Sequence, residues 1–133
     1  MMQTLAAVAL AVLAAGAGTS HAQISVDLDG DGKPDTVLLE QRDNSVSVSV
    51  HFDAASHKPQ QFRFAVDAGR EDAVCALPVR LHIEPLDYDL AAAVGKPVPG
   101  FVRSDAGKGF AIVDGACDSI HFYWNHMEKR LDW

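Results

Sequence analysis

The sequence predicts a mainly β domain: a small antiparallel sheet, curled into a barrel or paired as a sandwich, with one short helix. Three observations carry that expectation. Apolar and polar residues alternate with period two in several short runs, as half-buried strands require. The runs are separated by clusters of Gly, Pro, Asp and Ser, and the connections are short, which favours antiparallel neighbours over crossovers.

Taken in order, Met1 to Ala22 has an unbroken small and apolar run from Leu5 to Ala15 and ends in Ser20-His21-Ala22, a small-x-Ala cleavage signal. It reads as a secretory signal peptide over residues 1–22. Its apolar core is well short of the ~20 residues that span a bilayer. Residues 23–133 are then a single domain, periplasmic or secreted, with no membrane span after cleavage. The first strand is expected in Val37-Leu38-Leu39 and the second in Val46, Val48, Val50 and Phe52, alternating with Ser47, Ser49 and His51. Phe62, Phe64 and Val66 form a third run, Val79, Leu81 and Ile83 a fourth, Phe110 to Val113 a fifth, and Ile120, Phe122 and Trp124 a sixth. The phase of the last run puts Trp124 in the core. The helix is expected over Asp87 to Val94, opened by acids and stopped by Gly95 with Pro97 beyond.

The stretch richest in chemistry is Asp27-Leu28-Asp29-Gly30-Asp31-Gly32-Lys33-Pro34-Asp35. Carboxylates at every second position of a glycine-punctuated loop repel one another by about a kcal/mol or more per close pair unless a cation joins them. A D-x-D-x-D-G pattern supplies oxygens at its first, third and fifth positions to a hard cation of calcium's size. Those are Asp27, Asp29 and Asp31; Gly32 takes the sharp turn, Lys33 offers its carbonyl, and Asp35 follows at the ninth position. At the twelfth, where an EF-hand has its bidentate Glu, stands Leu38. The loop therefore feeds a strand rather than a helix.

DLDGDGKPDTVLL, the turn RDNS and the strand VSVSVHF, from Asp27 to Phe52, together resemble the calcium hairpin of FG-GAP/VCBS repeats. The resemblance implies a bound Ca2+ held by Asp27, Asp29, Asp31, Lys33 and Asp35. With a single aspartate loop in the chain, a complete propeller is excluded.

The formal charge of -7 lies entirely on residues 23–133, because Met1 to Ala22 contains no Asp, Glu, Lys or Arg. Such a protein repels phosphate, and no basic, aromatic-laced face for nucleic acid is present. Cys75 and Cys117 are the only cysteines, and in an exported chain they are expected to pair. Closing a loop of about 42 residues is worth ~4 kcal/mol on the chain-entropy account. No G-x-S-x-G elbow, H-E-x-x-H or phosphate loop occurs. His82 and His121 fall at polar strand positions and read as surface histidines, and Asp87 and Asp89 as helix-opening acids. The expectation is thus no enzyme and no catalytic residue.

A binding protein of the cell envelope is what remains. In size, export, acidity and calcium loop it is similar to small exported inhibitors of lysozyme-like enzymes, including immunity proteins against peptidoglycan hydrolases. A cationic hydrolase is the partner that acidity would steer. The expected contact surface is the loop from Pro99 to Phe110, glycine-rich and long for a connection between strands, with Phe101, Arg103 and Lys108. The alternative is a small secreted carbohydrate-binding domain or hydrolase.

Overall fold

The computed structural model describes residues 19–133 and is mainly β. The expected signal segment lies outside the described residues except for Thr19 to Ala22. Strands β1 (Ser20–Val26), β2 (Asp35–Arg42), β3 (Ser45–His51) and β4 (Gln60–Ala65) form one four-stranded antiparallel sheet in sequential order. Strands β5 (Arg80–Leu86), β6 (Ser104–Val113), β7 (Ile120–Asn125) and β8 (Arg130–Asp132) form a second, and helix α1 (Leu90–Val94) lies between β5 and β6. Each sheet is antiparallel, as the sequence pattern predicts, and the structure shows each to be a meander of neighbours joined by turns or one excursion. The two sheets remain separate and form no closed barrel.

Alternation decides what is inside. Val37 and Leu39 on β2, Val46, Val48 and Val50 on β3, and Phe64 on β4 point one way and are buried. They meet Phe110, Ile112, Ile120, Phe122, Trp124 and Leu131 from the second sheet in one core. Phe122 is its centre, stacked on Phe110 at 4.5 Å and met edge-on by Phe62 and Phe64 at 5.1 and 6.0 Å. Offset and edge contacts of this kind add to the burial of each ring.

Two strands lie beyond the sequence expectation. β1 starts at Ser20, and its residues Ser20 to Ala22 pair with Gln41 to Leu39. Those three residues are exposed, so the expected cleavage after Ala22 would remove ladder pairs and no core side chain. β8 has three residues, too few to show a period. The helix is shorter than expected: Asp89 is the N-cap, its Oδ1 accepting the Ala92 N–H at 3.0 Å, and Gly95 closes the helix at φ 76°. Among the described residues no helix is long and apolar enough to cross a membrane.

Candidate metal centre and its surroundings

Val26 ends β1 and pairs with Asp35, which opens β2, so the aspartate loop is the connection of the first hairpin. Glycine is required at two of its turns: Gly30 and Gly32 have φ of 78° and 85°, where a Cβ is strained. The carboxylates knit the loop. Asp27 accepts the N–H of Gly30 and of Gly32, both at 2.9 Å; Asp29 Oδ1 accepts that of Asp31 at 3.2 Å; Asp31 accepts that of Lys33 at 2.8 Å.

Asp35 is fully buried, its oxygens accepting the N–H of Leu28 and of Asp53 at 2.9 Å each. The side chain of Asp29 is only 1% exposed, and its Oδ2 lies 2.8 Å from Nδ1 of His57. Burial pushes the Asp29 carboxyl above its ordinary range. The Asp31 N–H and His57 oppose that, while the charges of Asp35 and Asp31 add to it.

Oxygens of Asp27, Asp29 and Asp35 lie within 4.8 Å of one another. Two ligands on opposite sides of a calcium ion at 2.3–2.6 Å stand about 5 Å apart, so one ion can reach all three. Asp31 is exposed and outside that trio, and the exposed Lys33 ammonium lies 3.7 Å from Asp53. The donor set is all oxygen, which suits a hard cation. Sequence reading misses His57 and Asp53. They come from the β3–β4 connection, and only the tertiary fold brings them to the loop.

Cys75 and Cys117 are joined in a disulfide, Cα atoms 5.9 Å apart. Asp114 organises both ends of the bridge: Oδ1 accepts from Ala116 and Cys117, and Oδ2 accepts from Cys75 at 2.7 Å. Its modest burial raises the carboxyl, but these backbone N–H groups together outweigh it and hold the group below the usual carboxylate range.

The stretch Pro99 to Phe110 is not a loop throughout, because Ser104 to Phe110 belongs to β6. Phe101 packs against Tyr88 and Tyr123 at 5.3 and 5.2 Å, and Arg103 Nε donates to the Asp87 carbonyl at 2.8 Å. Lys108 is exposed, as is the neighbouring Val102 at 48%. Gly100, at φ 88°, lies against the buried Asn125, whose Nδ2 donates to the Pro99 carbonyl at 3.3 Å. His126 donates its N–H to the Gly100 carbonyl at 2.9 Å. The segment is therefore pinned. His121 bonds to Glu84 at 2.7 Å through Nδ1, and His82 is exposed on β5.

No family model, curated protein or solved structure matches the chain.

Proposed function

We propose that this chain is an exported, sandwich-like binding protein without enzymatic activity, its scaffold stiffened by one calcium ion and one disulfide. The observation that carries the reading is the convergence of Asp27, Asp29 and Asp35 at the mouth of the first hairpin. A calcium ion there would be held chiefly by those three carboxylates, with the Lys33 carbonyl, Asp31 and water completing the shell. Its role is structural: it offsets the repulsion between acids that the fold crowds together. The disulfide supports an oxidising compartment, periplasmic or extracellular.

The partner is a protein, and a cationic peptidoglycan hydrolase is the class that the charge of -7 favours. The contact face is the pinned segment around Val102, Arg103 and Lys108, with the half-buried Phe101 as its support. Pinning matters because a surface ordered beforehand loses less entropy on binding.

The test uses the full chain with and without calcium, mixed with a purified cationic lysozyme-type muramidase. Calcium-dependent binding that slows cell-wall clearing, and that Val102→Asp weakens at least tenfold, is the expected result. No calcium heat at millimolar metal would remove the metal from the reading. No association with the muramidase, or cross-links confined to the opposite end of the domain, would remove the partner.

A further inference from the structure

The two sheets differ in how their outer faces are treated. The excursion between β5 and β6 lays Phe101 on Tyr123, with Tyr88 against Phe101, and covers that part of the second sheet's outer face. Among the described residues nothing is laid over the first sheet's outer face. On it, the central strand β3 presents Ser45, Ser47 and Ser49, half-buried between taller neighbours on β2 and β4. Register places Ser47 between Glu40 and Arg63, and Ser49 between Leu38 and Gln61. The result is a trough with a hydroxyl floor, about 640 Å3 with His21 and Ala22 of β1 in place; Ser45, Ser47, Ser49, Gln61 and Arg63, on which binding rests, all lie beyond the expected cleavage bond.

We propose that this trough binds a carboxylate-bearing glycan, independently of the calcium loop and of any protein partner. Three properties point to that chemistry. The serine hydroxyls, about 7 Å apart along the strand, and the Gln61 amide can each donate and accept, which matches a ligand that does both along its length. Arg63 has no ion-pair partner among the described residues, whereas Arg42 is paired with Glu40. A free guanidinium beside hydroxyls is a donor fork for a carboxylate. The wall carries two arginines against one glutamate on a chain of net charge -7, so its local charge is opposite to that of the whole chain and suits an anionic ligand. Leu38, 38% exposed, is the trough's one large exposed apolar side chain, too little to anchor a peptide by apolar side chains.

The experiment is a titration of the isotope-labelled full chain with trigalacturonate, with maltotriose and triglutamate as comparators at equal ionic strength. Saturable amide shifts confined to Ser45–Ser49 and Gln61–Arg63 are expected, with maltotriose and triglutamate at least tenfold weaker. Arg63→Gln should weaken trigalacturonate at least tenfold, and Ser47→Leu, which raises the floor without touching the core, should do the same. Absent shifts on this face, equal binding of triglutamate, or an Arg63→Gln variant that binds as the parent does would each overturn the proposal.

Discussion

Gln41 and Val79 are joined by two hydrogen bonds that tie one sheet to the entry of the other. The Val79 N–H donates to Gln41 Oε1 at 2.7 Å, and Gln41 Nε2 donates to the Val79 carbonyl at 2.8 Å. Gln60 repeats the arrangement at Leu131: the Leu131 N–H donates to Oε1 at 2.8 Å, and Nε2 donates back to its carbonyl at 3.3 Å. Two glutamines thus satisfy backbone groups that no strand pairing serves. Gln41 lies in the inward phase of β2 and is buried, so its amide is there for these bonds and not for solvent.

Replacing Gln41 by Leu keeps the bulk and leaves both polar groups of Val79 without their partner. A buried unsatisfied group costs about 1–3 kcal/mol, and the expected loss is about 2–4 kcal/mol in urea unfolding. Gln60→Leu, at a part-buried pair, should lose less because water can reach it. Equal and small losses for both would mean the amides are incidental.

Gly100 and Gly115 make a matched pair for a second measurement. Both have positive φ, 88° and 76°, but a Cβ on Gly100 would sit 1.8 Å from Asn125 Oδ1, whereas Gly115 has open space around it. Gly115→Ala should cost about 1–2 kcal/mol, the strain of a left-handed residue. Gly100→Ala should cost clearly more, because Asn125 must also release the Met127 and Glu128 N–H groups that its Oδ1 accepts. Thermal melts of the two variants decide it.

Asp114 gives a pH signature. Its carboxyl is held below the ordinary value in the folded state, so its contribution is present above the unfolded pKa and is lost as pH falls through the folded one. Comparing Asp114→Asn with the parent, the stability difference should be full at neutral pH and should vanish in acid below the ordinary carboxylate range. With the disulfide reduced, the loss should be larger still, ~4 kcal/mol on the chain-entropy account. A difference independent of pH would show that the charge of Asp114 plays no part.

For the phenols the direction reverses. Burial, with the charge of Glu84, pushes Tyr88 up to about 12, and burial raises Tyr123 as well. A group with a raised folded pKa stabilises the fold below its unfolded value and ceases to as pH rises through the folded one. Phenolate absorbance should therefore lag behind that of free tyrosine and appear near pH 12 or on unfolding. Ordinary titration near 10 would mean that Tyr88 is solvated.

At the aspartate loop, calcium at about 100 times Kd should add ~2.7 kcal/mol to stability, and chelation should lower the melting temperature. The substitution Asp29→Asn keeps an amide oxygen for the Asp31 N–H while removing one charge from the trio. It should abolish most of that calcium response and leave the metal-free fold standing. A response equal to the parent's would place the metal elsewhere.

The sequence by itself determined the strands whose burial has a period. Val46, Val48 and Val50 could point only one way once alternation was read, and Phe122 and Trp124 followed the same rule. It also determined the local knit of the aspartate loop, because Gly30 and Gly32 sit where only a residue without a Cβ turns freely. The pairing of Cys75 with Cys117 was legible too, being the single choice available. Tertiary structure alone decided that His57 and Asp53 reach Asp29 and Asp35, that Phe101 is packed under Tyr88, and that Gln41 serves Val79. Those contacts join residues far apart in the chain, and a side chain's partner across such a distance depends on how two sheets are laid together. No local spacing encodes that. β1 and β8 escaped for other reasons: β1 alternates Ile24 and Val26 with Gln23 and Ser25 but straddles the expected cleavage bond, which leaves only four of its residues beyond the bond, and β8 is three residues long and shows no period.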